Sequence, residues 1–290
     1  MTPTVSIVGA GRVGRALGKR LRERGWQIGV VVTRSRVTSR AAVRVIGAGQ
    51  PSVGLTHGIL AADVILLAVP DDALAQVAVR LAKLGGSRWR RKVVLHTSGA
   101  LDSKVLAPLA RRGAATGSLH PMQTFGGKII PPLGSVTIAI EGTARALDCA
   151  RLIAKTVKGV PVVIAGRDKP VYHATAVLAA GSSFPLIETA VQMLVGIGFS
   201  RRRAYQTLLL LTRQMLDNVE RIGARAAWTG PLSRGDYRTI QKHIRALRPY
   251  PREARHAYAA LARLAGRVLA TDPAAALQQI QRALGKAKGR

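Results

Sequence analysis

The stretch that most constrains this chain is Val5-Ser-Ile-Val-Gly9-Ala10-Gly11-Arg12-Val13-Gly14, an apolar run broken by three glycines and followed by Arg15-Ala-Leu-Gly-Lys-Arg-Leu. It reads as strand, tight turn and helix. Gly9 permits the sharp turn, and Gly11 lets backbone approach a pyrophosphate. Gly14 lets the helix lie close on the strand, and the amides of Arg12, Val13 and Gly14 open a helix N-terminus suited to phosphate. Such glycine spacing has meaning only between a strand and a helix, and that is where it stands here. Without a ligand the same glycines would be a plain turn.

A chain of 290 residues buries a sizeable core and suggests two domains. Met1-Thr-Pro-Thr runs straight into the first strand, leaving no room for a signal peptide, so a cytoplasmic protein is expected. The apolar stretch Ala174 to Phe199 carries Glu188 and is broken by Gly181 and Pro185, which predicts a buried helix pair and no membrane span. Cys149 stands alone, so it forms no internal disulfide or cysteine metal cluster and reads as a small buried group. No metal site is expected.

The net charge of +31 comes mostly from arginine spread along the chain. Aromatics are scarce and no nucleic-acid motif is present, so a general preference for basic residues is expected, with help in attracting a polyanionic cofactor and no specific nucleic-acid partner. The tail Lys286-Ala-Lys-Gly-Arg290 reads as a solvated end.

A second strand, Gln27 to Val32, exits into Thr33-Arg34-Ser35-Arg36. An NAD site usually places a carboxylate here to accept from the ribose hydroxyls. Arg34 and Arg36 beside Ser35 suit a 2′-phosphate instead, because guanidinium is a planar fork of donors. NADP is therefore expected over NAD.

Asp63-Val-Ile-Leu-Leu-Ala68-Val69-Pro70 reads as a strand covered on both faces. Asp71 and Asp72 would cap the helix Ala73 to Leu84. Ala68, Val69 and Pro70 become candidates for the cofactor wall, though Pro70 also serves as a strand stop. Lys92 to Gly99 and Ala114 to Gln123 repeat the pattern, delivering His96 and His120 to the same edge as the glycine turn. With Ser98 they form a candidate proton-transfer set, since imidazole gives and takes protons near neutral pH. Val136 to Ile140 and Val160 to Ile164 extend the sheet.

From Gly166 onward helical periodicity replaces strand patterning, which predicts a cofactor domain over residues 1–165 and a helical substrate and dimerisation domain over 166–290. Asp168 would cap a helix with His173, Val177 and Ala180 on one face, placing His173 in a core or at a cleft. Further helices are expected at Arg201 to Arg221, Asp236 to Leu247, Arg252 to Leu269 and Pro273 to Leu284. Asp236 caps the second of these, and Arg234, in the loop Thr229 to Asp236, is a candidate carboxylate anchor. The apolar content of Leu178 to Leu194 predicts a homodimer built by the helical domain.

Gly-Ala-Gly-Arg-Val-Gly, Ala-Val-Pro-Asp-Asp, His96-Thr-Ser-Gly-Ala, Ser118-Leu-His-Pro-Met-Gln-Thr-Phe125, Tyr172-His-Ala and Thr229-Gly-Pro-Leu-Ser-Arg-Gly-Asp resemble a bacterial family of Rossmann-like oxidoreductases with an uncharacterised helical C-terminal domain. That family is similar to prephenate dehydrogenases, pyrroline-5-carboxylate reductases and ketopantoate reductases. The resemblance implies an N-terminal doubly wound Rossmann parallel sheet followed by an all-helical C-terminal domain. The likeness to prephenate dehydrogenases implies that Ser98 and His120 approach the hydroxyl that loses its hydride. Two departures stand out: Gly181-Ser-Ser occupies a place where the family often carries asparagine, and no proton-donating lysine is evident.

The sequence thus predicts an NADP-dependent dehydrogenase or reductase acting on a small oxo, imino or hydroxy compound, a carboxylate, with ketopantoate-reductase-like activity included. His120 is the expected acid/base, Ser98 holds the reacting oxygen, and His96 or His173 supports them. A non-catalytic NADP-binding regulator is the alternative, since fold alone does not establish chemistry.

Overall fold

The structure is a computed structural model describing residues 3–127 and 129–285, so the tail from Lys286 lies outside the described residues. The chain divides into two compact units, Met1–Ala180 and Gly181–Arg290. The first unit therefore extends past residue 165, where the strands give out, because the helix beginning at Lys169 is tied to the sheet by its own side chains.

The first unit runs β1 (Thr4–Val8), α1 (Arg12–Arg22), β2 (Gln27–Thr33), α2 (Arg36–Ile46), β3 (Gln50–Val53), β4 (Val64–Leu67), α3 (Asp71–Gly85), β5 (Val93–His96), α4 (Ala107–Ala110), β6 (Ala115–Pro121), β7 (Thr137–Gly142), α5 (Ala144–Thr156), β8 (Val160–Val163) and α6 (Lys169–Ala176). Its eight strands lie in the order β3-β2-β1-β4-β5-β6-β7-β8. All neighbours pair in parallel except β6 and β7, which are antiparallel, a departure from the expected fully parallel sheet. The reversal between β1 and β4 leaves a crevice at the carboxyl ends of the strands, the place where doubly wound sheets bind ligands.

The strands at the centre of the sheet are apolar on both faces because helices cover both. Ile7, Leu66 and Leu95 pack with Leu17 and Leu21 of α1 and with Ile153 of α5 on one face. Ile65, Leu67 and Val94 pack with Leu74 and Leu81 of α3 on the other. Each such side chain stabilises the unit by about 1.5–3 kcal/mol through removal from water. Gly18 is needed where α1 crosses α2, since a Cβ there would lie 2.5 Å from Ile7 Cδ1 and 3.0 Å from Ile46 Cδ1.

The second unit comprises α7 (Ser183–Gly196), α8 (Arg201–Ile222), α9 (Ala224–Ala227), α10 (Tyr237–Ala246), α11 (Arg252–Val268) and α12 (Pro273–Gly285), with no strand among its described residues. Ile240, Ala262, Ile280, Ala283 and Leu284 form its core. Asp236 caps α10 as expected, accepting from the Thr239 amide at 3.1 Å. Asp168 stands at the N-cap of α6 without a side-chain capping bond. Asp71 makes no cap bond for α3 and turns to Ser98.

The run Gly166–Gly196 is long and apolar enough, by length and composition, to cross a membrane, and little of it is buried. Its first turns are tied to the sheet through Lys169 and Tyr172, which is the behaviour of a helix packed on a folded unit. The expected burial of this stretch is not seen: Val177, Leu178, Phe184 and Leu186 are all exposed.

Candidate functional site

The glycine turn is built as its sequence requires. Gly9 has φ +87°, and a Cβ there would lie 2.6 Å from Val69 Cγ1 and 2.7 Å from the Ala68 carbonyl. The turn is thus flush against the end of β4, with the Ala68 amide donating to the Val8 carbonyl at 2.8 Å. A Cβ at Gly14 would meet the Gly9 carbonyl oxygen at 2.7 Å, whereas Gly11 has nothing within 4 Å and faces open space. No side chain caps α1 and its first turn carries no acid, so its first amides are left for another acceptor.

At the end of β2, Arg34, Ser35 and Arg36 are exposed. Ser35 Oγ caps α2 through the Thr38 amide at 3.2 Å, and Thr38 Oγ1 lies 2.6 Å from Thr33 Oγ1. Neither arginine forms an ion pair among the described residues. Arg12 donates to the Phe125 carbonyl at 3.2 Å. With Arg15 it lines a cavity of about 240 Å³ on the flank of α1.

The carboxyl ends of β5 and β6 carry the titratable groups, and the register places His96 beside Ser118, two residues before His120. His96 is fully buried. Its Nε2 lies 3.2 Å from the Asp102 carbonyl and its Nδ1 accepts from the Ser98 amide at 3.2 Å. Burial above all, and the charge of Lys169 after it, hold its pKa at about 3. Both nitrogens are thus engaged by a neutral ring, the arrangement of a structural group. Ser98 is equally committed: its hydroxyl donates to Asp71 Oδ2 at 2.8 Å and accepts from the Ala100 and Leu101 amides.

His120 is half-buried, with Nδ1 3.2 Å from the Tyr172 hydroxyl. Burial, then the neighbouring His173, then Lys169 bring its pKa down to about 4. His173 Nδ1 is buried and has no hydrogen-bond partner among the described residues. The two imidazoles meet edge to face at 5.6 Å. Both rings crowd Gly99, where a Cβ would lie 2.5 Å from His173 Nδ1 and 2.8 Å from His120 Nε2. Glycine is the residue that lets β5, β6 and α6 bring these rings together.

Lys169 is a candidate site group that the sequence did not single out. It is fully buried, and its Nζ donates to the Ser98 carbonyl at 2.9 Å and to Ser118 Oγ at 2.7 Å. Ser118 Oγ in turn donates to Glu141 Oε2 at 3.3 Å, and Glu141 also accepts from the Ser103 amide and hydroxyl. Burial lowers the Lys169 pKa to about 8 against the raising pull of Glu141, Asp102 and Asp71. A lysine therefore stands beside the predicted site residues, bonded to the backbone and to Ser118. Its one advance signal is position, a basic residue in the first turn of a helix, where the dipole disfavours it. Arg234 lies exposed on a turn of the second unit. No group of three or more metal-ligating side chains occurs among the described residues.

A Rossmann-like domain model matches residues 2–121, and the model of a domain of unknown function, DUF2520, matches residues 136–265. No curated protein matches the chain. Among solved structures, a Bacteroides fragilis protein assigned as an NADP oxidoreductase is similar at TM-score 0.74 and 20% identity, covering 90% of this chain and 96% of that one. A Thermotoga maritima protein, TM1727, gives 0.67 and 21%, covering 98% and 100%. A reductive aminase from Aspergillus terreus, solved with NADPH and ethyl-5-oxohexanoate, gives 0.64 and 16%, covering 100% and 96%. At these identities the likeness is one of fold.

Proposed function

We propose that this chain, which belongs to the proteins joining a Rossmann-like domain to DUF2520, is an NADP-dependent oxidoreductase. It would move a hydride between the nicotinamide and a small oxo, imino or hydroxy compound, carboxylates and ketopantoate-like acids included. The observation that carries this reading is the meeting of His120, His173 and Tyr172 over Gly99, on the same sheet edge as the glycine turn. The names of the similar solved structures, an NADP oxidoreductase and a reductase with NADPH and an oxo ester, point the same way.

The residues present fit a dinucleotide. The open face of Gly11 and the uncapped amides of α1 suit a pyrophosphate, and the unpaired Arg34 and Arg36 suit a 2′-phosphate. The cofactor supplies or takes the hydride. The protein's part is to position the substrate and to move a proton, and His120 Nε2 is the atom assigned to the proton. With a pKa of about 4 the ring is neutral through the working range: it would take the proton of a hydroxyl substrate as the hydride leaves, and in the reducing direction it would hold the carbonyl by a hydrogen bond from Nε2 while water supplies the proton of the product. Tyr172 serves both directions. Donating to Nδ1, it leaves the ring proton on Nε2; turned to the His120 carbonyl oxygen at 3.4 Å, it lets Nδ1 carry the proton and Nε2 accept.

Ser98 and His96 become positioning residues, since their polar atoms hold the Gly99 loop. His173 supports His120 with its unpartnered Nδ1. Arg234 is kept as the carboxylate anchor, and a homodimer as the assembly, on the exposed Leu210, Leu211, Met215 and Leu216 of α8. The test is NADPH consumption against a panel of imines, ketones and 2-oxo acids. Turnover that His120→Ala lowers by about a hundredfold or more supports the reading. Tight NADPH binding with no turnover on any class favours the regulator instead.

A further inference from the structure

The edge of the sheet opposite the candidate site carries a cluster of exposed arginines from three segments. The turn Gly86–Arg91 precedes β5 and exposes Arg88, Arg90 and Arg91, while Trp89 between them is fully buried and anchors the turn. The turn before β6 exposes Arg111 and Arg112, and it touches the first: a Cβ at Gly113 would lie 2.8 Å from Arg90 Cγ. Arg145, at the start of α5, forks onto the Arg90 and Lys92 carbonyls at 3.1 and 2.6 Å. Three separate segments thus bring six exposed arginines together, and one of the six clamps the backbone that presents the others.

Among the described residues none of the six arginines is in an ion pair. Of the nearby acids, Asp148 pairs with Arg151 at 3.0 Å, while Asp63 accepts from the Thr4 amide at 3.1 Å and keeps its charge, one carboxylate against six guanidinium groups. The charge is therefore concentrated here, and not only diffuse as composition suggested. Like charges held together cost stability unless an anion sits among them, and a buried tryptophan and a guanidinium clamp hold these in fixed places.

We infer that this arginine surface binds the phosphate backbone of duplex nucleic acid, without reading sequence. Guanidinium forks match phosphate oxygens. With Trp89 buried, the turn offers no exposed aromatic on which a single-stranded base could stack, so a duplex fits better than a single strand. β5 separates the two edges: it starts at the arginine turn and ends at His96, so a duplex held at one edge leaves the dinucleotide crevice open.

The test titrates a 20-base-pair duplex with the full chain over a salt series, comparing Arg88→Ser/Arg90→Ser/Arg91→Ser with Arg263→Ser/Arg267→Ser/Arg282→Ser, which removes the same charge from α11 and α12. The expected result is that the first triple variant loses about tenfold or more in affinity and that its log–log salt slope flattens by about 2.7, roughly 0.9 for each phosphate no longer neutralised. The second should change affinity less than threefold, and NADPH binding should hold in both. If the first triple variant does not fold, Arg111→Ser/Arg112→Ser carries the same test with a slope change of about 1.8. Equal losses in patch and control variants would reduce the effect to net charge and overturn the proposal, as would an unchanged slope or a preference for single strands.

Discussion

The Tyr172 hydroxyl of α6 lies 3.2 Å from His120 Nδ1 and 3.4 Å from the His120 carbonyl oxygen, so a single phenol sets the orientation of the imidazole at the end of β6. Burial raises the Tyr172 pKa to about 12, and the hydroxyl keeps its proton throughout the working range. Tyr172→Phe should lower kcat by about tenfold while leaving the NADPH dissociation constant unchanged. Steady-state kinetics beside a cofactor titration decide it, and an equal change in both would assign Tyr172 to packing.

Lys169 acts on His120 through charge. Burial lowers the His120 pKa most, then His173, and the Lys169 ammonium adds to them by disfavouring a second positive charge nearby. Lys169→Met should move the acidic limb of the kcat profile to higher pH. It should also cost about 3 kcal/mol of stability, because the Ser98 carbonyl and Ser118 Oγ lose their donor. A variant that loses activity with an unmoved acidic limb would leave Lys169 a purely structural role.

The glycine turn, the strand ends and most helix bounds were legible in the sequence because each depends on local spacing. The antiparallel β7 was not, since its short run of consecutive buried apolar residues reads alike in either direction. Lys169 was hidden for a different reason. A lysine beside Asp168 looks solvated, and its burial arises only when α6 docks on β5 and β6, where Glu141, distant in sequence, offsets the cost. His96 and Ser98 illustrate the converse: strand-end position suggested chemistry, but their polar atoms are consumed by backbone groups and Asp71.

Acid should unfold the first unit early. His96 and His120 titrate at about 3 and 4 when folded against an ordinary value of 6.5, so the folded state binds fewer protons than the unfolded chain in that interval. Their stabilisation is complete above about pH 6.5. It is lost as pH falls, through about 4 for His120 and about 3 for His96, at up to about 1.4 kcal/mol per pH unit for a fully buried ring. Half-buried His120 contributes less because solvent screens it. Urea unfolding between pH 7 and 4 measures the slope, and His96→Gln should flatten it. A stability independent of pH over that interval would contradict the buried neutral rings.

The apolar side chains exposed on α7 and α8, Phe184, Leu186, Leu210 and Leu211 among them, are covered if the helical unit dimerises. Light scattering at micromolar concentration should give twice the 30.8 kDa of one chain. Leu210→Glu/Leu211→Glu should shift the mass toward the monomer, and a monomeric parent protein would contradict the assembly.

The most direct measurement is a fluorescence titration of the full chain with NADPH and with NADH, repeated on Arg34→Ala/Arg36→Ala. NADPH should bind about tenfold or more tightly than NADH, and the double variant should abolish the difference by weakening NADPH alone. Equal affinities in the parent protein, or a variant whose NADPH constant does not move, would contradict it.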